Sequence, residues 1–450
     1  MKSIFIRSLF FFPLMLSVVA EESALSASVS NVALEQDAVT GNVKVSYTLE
    51  NAPCVVTVDF TTNGVSIGAV NFRNLVGEVN KLVQPGNHEI IWCPGTDWKG
   101  SPSESLKVAV TAWSTNSPPD YMLVSLTGNP GSDPFSAGVR YYVSEEALPF
   151  EGGIADEMLK TDWLVMKKVK AKGITFRMGI TAAENGGSAN TSAPTYYAKL
   201  TNDYYLGVYE FTQHQWENLQ PGWSRPSYFT NDWRCRPVEG TGGTYIRGYS
   251  DNKSHRVWPN DGHSINWKGP DSGITGLYQL QRISGLLLDL PTEAQWEFAA
   301  RAGCSSPMPD GSAVYSPTAI ANYGRFPGSP DLPEGITVDR DTPPTKGGTA
   351  IVGSYPPNAW GFYDMFGNVR ELCLDASGMT YAQDVVHIDP VGPSGTAAIT
   401  KNHIVRGGCW KAAGSVAERK SFNINYCGIG SSALKNGSDC IGFRVCLTLP

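Results

Sequence analysis

The sequence predicts a chain of two units: an all-β sandwich over residues 25–145 and a larger mixed unit over residues 161–450. Three observations carry that prediction. Apolar and polar residues alternate in short runs through the first third of the chain. Beyond it, one strong helix signal sits among short strands and long loops. A length of 450 residues also exceeds one ordinary domain and leaves each unit enough chain for a core.

The first element is a leader. Lys2 and Arg7 precede the apolar run Leu9 to Leu16, and Ser17-Val18-Val19-Ala20 supplies small residues for cleavage. This is the pattern of a secretory signal peptide over residues 1–20, cleaved near Ala20, so the expected location is secreted or periplasmic. The apolar run is too short to cross a bilayer, and no later stretch holds 18 consecutive apolar residues. The mature chain is expected to have no membrane span. Losing Lys2 and Arg7 takes the formal charge from −7 to −9, which argues against nucleic acid or an anionic membrane surface as partner.

The sandwich follows strand by strand. Val43, Val45, Tyr47 and Leu49 alternate with polar neighbours, as do Val56, Val58 and Phe60 ahead of the turn signal Asn63-Gly64. Leu106, Val108, Val110 and Ala112 repeat the pattern, and Tyr121 to Leu126 and Val139 to Val143 add further strands. No cluster of acids, histidines or nucleophiles marks this region, which points to adhesion, spacing or presentation. Nine cysteines in an exported chain permit disulfides and leave at least one unpaired. Cys54 and Cys93 either pair or stay as two buried small hydrophobes. The absence of Cys-x-x-Cys and the scatter of the six histidines give zinc no support.

Residues 146–160, with Pro149 and Gly152-Gly153, read as a linker. In the second unit the clearest helix runs from Thr292 to Ala302. Pro291 precedes it, Thr292 is the cap, and Gln295 completes a capping box. Thr212 to Leu219 predicts a second helix, and a Gly- and Asn-rich loop spans Gly222 to Gly276.

Six short motifs stand in order through this unit: Phe176-Arg177-Met178-Gly179, Leu206 to Thr212, Leu290 to Arg301, Asp364 to Glu371, Arg406-Gly407-Gly408-Cys409-Trp410 and Gly442-Phe443-Arg444-Val445. Together they resemble the formylglycine-generating enzyme family, also called the sulfatase-modifying factor family, over residues about 160–450. The resemblance implies an α+β fold of the C-type-lectin-like kind with few regular elements. It also implies structural calcium on the positions matching Asp364, Gly367, Val369 and Glu371, where the family usually has Asn at the first. Calcium takes hard oxygen ligands, which two carboxylates and two carbonyls supply. Read from the residues alone, Asp364 caps a turn and Glu371 pairs with an arginine. A second family calcium site implies Asn322-Tyr323, with Asp339 or Asp341 as the later ligand. Arg406 and Arg444 are expected to meet buried carboxylates.

The family's reaction uses two cysteines, five positions apart, between the Arg-Gly-Gly and Gly-Phe-Arg motifs. As soft thiolates they bind copper(I), which activates oxygen to oxidise a substrate cysteine. Counted from Gly408 the two positions fall here on Ala412 and Ala417; counted back from Gly442 they fall on Val416 and Ser421. Cys427 lies beyond both counts, and Cys409, Cys440 and Cys446 have the wrong spacing for a copied pair. Nothing else in the chain matches a hydrolase elbow, a metalloprotease helix or a phosphate-binding loop. The sequence therefore favours a calcium-stabilised binding or scaffold member whose cleft takes peptide or glycan. The alternative is an active formylglycine-generating oxidase that uses copper and displaced thiols, with Cys427 as the catalytic candidate.

Overall fold

The computed structural model describes residues 26–98, 105–127, 138–184, 195–219, 227–230, 233–247, 275–314, 316, 319–326, 348–376, 379–392, 403–410 and 438–450. The leader lies outside these residues. The N-terminal unit is two facing antiparallel sheets. One joins Ser28–Gln36, Val43–Glu50, Gly86–Trp92 and Leu75–Gly77; the other joins Val65–Ser66, Cys54–Thr62 and Lys81–Val83, with Lys107–Trp113 paired to Cys54–Thr62. Period-two patterning decides which side faces in: Val43, Val45, Tyr47 and Leu49 are buried, and the residues between them are half-buried. Phe60 of one sheet meets Trp92 of the other with ring centroids 4.5 Å apart. Asn63 and Gly64 take φ of 53° and 77°, the geometry of a two-residue hairpin turn. No disulfide joins Cys54, which is buried, to Cys93, which is half-buried.

Two strands expected to belong to the sandwich pair elsewhere. Tyr121–Ser125 and Val139–Tyr142 join the second unit in a five-stranded antiparallel sheet. Its order is Val139–Tyr142, Tyr121–Ser125, Trp163–Val169, Tyr204–Gly207, Cys446–Thr448. Their patterning gives the physical reason. Tyr121, Met122, Leu123 and Val124 are buried in succession, so both faces of this strand are covered, whereas the sandwich strands alternate. The pairing moves the change of unit forward into the polar stretch Ser114 to Asp120.

Two three-stranded sheets complete the second unit: Thr175–Met178 with Tyr196–Lys199 and Val386–Ile388, and His403–Arg406 with Arg370–Ala376 and Ile441–Gly442. Helix Glu293–Arg301 runs between them. Thr292 accepts the Gln295 backbone N–H and the Gln295 side chain accepts the Thr292 N–H, so the predicted capping box is formed. At the other end the Asn358 side chain donates to the carbonyls of Ala299 and Ala300, which gives the Pro356-Pro357-Asn358 turn its architectural role. The predicted helix after Thr212 spans Gln213–Leu219. Few helices and many short strands make this an α+β fold. Among the described residues no helix is long and apolar enough to cross a membrane.

Candidate functional site

Residues 364–371 fold into a tight loop that feeds the strand Arg370–Ala376. Asp364 and Asn368 both take a φ of 55°, and Gly367 one of 81°. A Cβ at Gly367 would come within 2.5 Å of the Arg325 carbonyl oxygen, so the position requires glycine. The buried carboxyls of Glu210, Asp364 and Glu371 gather here with one guanidinium, Arg444.

Arg444 donates to Glu371 through Nη2 to Oε1 at 2.7 Å and Nε to Oε2 at 2.9 Å, and the Trp296 indole N–H adds 2.7 Å to Oε2. The rest of the guanidinium serves the carbonyls of Gly207, Val208 and Tyr363. Glu210 accepts from Asn368 Nδ2 at 2.6 Å and the Val369 N–H at 3.1 Å. Asp364 accepts the Gly353 N–H at 2.6 Å on Oδ2, while its buried Oδ1 has no partner among the described residues. Three carboxyls against one guanidinium leave a surplus of negative charge. Burial, then the charges of Asp364 and Glu371, push the Glu210 carboxyl well above the usual range. Burial pushes Asp364 up to about 6.

This geometry divides the four residues expected to hold calcium. The open oxygen of Asp364 and the surplus charge fit a hard cation, with the Gly367 and Val369 carbonyls on the same loop. Glu371 accepts N–H donors on both of its oxygens, the arginine partner that the residues alone lead one to expect. Asn322 is exposed and Tyr323 half-buried in the 3-10 turn Ala319–Tyr323; Asp339 and Asp341 lie outside the described residues. Among the described residues no three His, Cys, Asp or Glu side chains are arranged to hold a metal.

The second motif arginine anchors the helix. Arg406 is paired with Glu297 and lies 3.5 Å from Glu293. Glu297 also accepts Arg301 Nε at 2.9 Å and the Gly179 N–H at 2.7 Å, which ties the Phe176 to Gly179 motif to the same helix. Burial pushes the Glu297 carboxyl up, but Arg301 and Arg406 outweigh it and hold the group below its ordinary value. Beside this helix, Phe176, Phe298 and Trp360 line a surface cavity of about 450 Å³ together with Lys170, Arg177 and Arg301.

A thiol cluster sits at one end of the sheet around Arg370–Ala376. The flanking strands His403–Arg406 and Ile441–Gly442 place Cys409 just after the first and Cys440 just before the second. The Cys409 thiol is hydrogen-bonded to the Cys440 sulfur, which also meets Arg370 Nη1 at 3.5 Å and Ser438 Oγ at 3.4 Å. The Cys409 hydrogen bond, with help from Ser438 and Arg370, pulls the Cys440 thiol down to about 6. Nearby, the Glu239 carboxyl accepts the Tyr228 and Phe229 N–H groups at 2.8 and 3.1 Å on Oε1, and its buried Oε2 has no partner among the described residues. Burial, aided by the charges of Asp439 and Cys440, pushes Glu239 up to about 7. Trp410 links this cluster to the acidic loop, with its backbone N–H on the Asn368 carbonyl at 2.9 Å and its indole on the Asp439 carbonyl at 2.8 Å.

Sequence spacing sets Cys409 and Cys440 aside because it measures distance along the chain alone. The usable signal was their placement beside the two Gly motifs, whose strands lie on either side of one central strand. Ala412, Val416, Ala417, Ser421 and Cys427 lie outside the described residues.

A family model described as the sulfatase-modifying factor enzyme 1-like domain matches residues 165–449. Among curated proteins, the serine/threonine-protein kinase pkn1 of Chlamydia pneumoniae is 36% identical over 27% of this chain and 16% of its own length. The chaperone protein LppX of Paenibacillus barcinonensis is 29% identical over 52% of this chain and 79% of its own length. The formylglycine-generating enzyme of Thermomonospora curvata is 32% identical over 34% of this chain. The match spans 48% of that enzyme, about half its length. With the family model covering well over half of its residues, the chain belongs to the sulfatase-modifying factor family.

Proposed function

We propose that this protein is an exported, calcium-stabilised member of the family that binds peptide and does not oxidise it. One observation carries the reading: between Arg406 and Gly442 no two cysteines stand five apart, so the thiolate pair the family needs for copper(I) is missing from its place. The cavity at Phe176, Phe298 and Trp360 supports binding, since its aromatic walls suit an apolar side chain. The similarity to a protein named as a chaperone points the same way. Export rests on the leader pattern of residues 1–20.

Calcium in this reading sits on Asp364 Oδ1 and the Gly367 and Val369 carbonyls, neutralising the surplus charge that Arg444 leaves. Glu371 stays with Arg444. Chelator-stripped protein should melt lower and recover its midpoint with added calcium, and Asp364→Ala should abolish the recovery. An unchanged midpoint removes calcium from the account.

A second reading has one observation in its favour. The contact between Cys409 and Cys440 offers a displaced thiol pair on which formylglycine could be generated. Incubating a cysteine-containing sulfatase-motif peptide in air with added copper separates the two. Binding by fluorescence anisotropy without conversion supports the first reading; conversion lost in Cys409→Ser or Cys440→Ser supports the second. Glycan arrays in parallel test whether sugar, not peptide, fills the cavity.

A further inference from the structure

We propose that Cys409 and Cys440 form a reversible dithiol–disulfide site that exchanges with small-molecule disulfides. The two residues lie far apart in sequence, yet both are buried and their sulfurs are in hydrogen-bonding contact. Cys440 is clamped twice by Arg370, whose backbone N–H donates to the Cys440 carbonyl at 2.8 Å and whose Nη1 reaches the sulfur at 3.5 Å. Cys409 leaves the strand His403–Arg406 through Gly407 and Gly408, at φ of 95° and 80°, and Trp410 is pinned by its hydrogen bonds to Asn368 and Asp439. Closing a bond between sulfurs held this way costs little backbone movement, which is the condition a disulfide imposes.

The other thiols are placed for a different life. Cys373 donates to the Glu371 carbonyl, Cys446 to Gln295 Oε1 and Cys304 towards the Met308 carbonyl. Burial pushes the Cys54 and Cys235 thiols up to about 11 and those of Cys373 and Cys446 well above their ordinary value, which disfavours their thiolates. Cys440 shifts the opposite way, because its sulfur faces a thiol, a hydroxyl and a guanidinium. That set of donors stabilises a thiolate, the form that attacks a disulfide.

The exchange balances as follows. The Cys440 thiolate attacks one sulfur of a small-molecule disulfide; that S–S bond breaks, a mixed disulfide forms on Cys440, and one thiolate leaves and takes up the proton Cys440 has released. Cys409 then gives its proton to the second departing thiolate and attacks the Cys440 sulfur. The pair loses two electrons and two protons, and one disulfide becomes two thiols. Reduction by a small thiol runs the same steps backwards.

The test equilibrates the full native chain with glutathione over a range of reduced-to-oxidised ratios. Acid quenching, alkylation, non-reducing digestion and mass spectrometry follow. The expected result is a linked Cys409–Cys440 peptide whose share rises with the oxidised fraction and falls on return to reduced glutathione. Cys409→Ser should lose the link and trap glutathione on Cys440. Cys427→Ser should keep the link. Recovery of both cysteines alkylated at every ratio, or of Cys440 linked to Cys427 instead, overturns the proposal. The wild-type measurement needs no variant to fold, so a destabilised Cys409→Ser leaves the result decisive.

Discussion

The two units bury different chemistry. Among the described residues of 26–113 the buried ones are apolar apart from Thr57, and Phe60, Trp92, Tyr47 and Val45 fill the space between the sheets. The second unit buries Glu210, Glu297, Asp364, Glu371, Asp375, Arg301, Arg406 and Arg444 among its apolar side chains. A sandwich can close on patterning alone, because any alternation that keeps its register makes the same core. A fold with short strands and long loops has few ladder hydrogen bonds to fix it. Here, charged pairs of defined geometry join segments that are remote in the chain: Arg444 holds Glu371, and Arg406 holds Glu297. Such pairs add little net stability over apolar packing, but removing one partner leaves a buried charge exposed to nothing.

That difference can be broken from either side, with region-specific stability read by hydrogen exchange. The largest effect is expected for Arg444→Met, which leaves Glu371 without its bidentate partner and should cost about 3–5 kcal/mol in protection of the strand Arg370–Ala376. Protection of Val43–Glu50 should not change, and equal loss in both units would erase the contrast. Next comes Ile90→Ala in the sandwich, a fully buried side chain whose truncation should cost about 2–4 kcal/mol there and leave the acidic loop intact. A smaller effect comes with pH. Glu239 has its folded pKa raised to about 7, so its contribution is fully present below the unfolded carboxylate range and is lost as pH rises towards 7. Over that window the second unit should weaken by about 2–3 kcal/mol from this group, and Glu239→Gln should flatten the slope. A slope unchanged in the variant assigns the titration to another acid.

The same contrast explains what the sequence made legible. Alternation exposed the sandwich strands, because one buried face per strand writes itself as period two. The cap of the helix at Thr292 was legible because its hydrogen bonds are local. Arg406 and Arg444 were readable as partners of carboxylates, although the motif did not say which. Pairing across distance was not legible. Tyr121–Ser125 looked like one more sandwich strand, since a strand's own residues do not name its neighbour. Glu239 carried no motif at all, and the Leu206 to Thr212 motif held Glu210 without marking it as a buried acid; burial and neighbours make both special. Cys409 and Cys440 met through two strands that flank a third.

One measurement separates a member that keeps the family fold and only binds, as proposed, from one that also oxidises. A cysteine-containing sulfatase-motif peptide is incubated in air with the full chain and copper, and its mass is followed beside its binding. The expected result is a peptide that is held and stays unconverted. Formylglycine in the wild-type reaction that disappears with Cys409→Ser, Cys440→Ser or Cys427→Ser would contradict it.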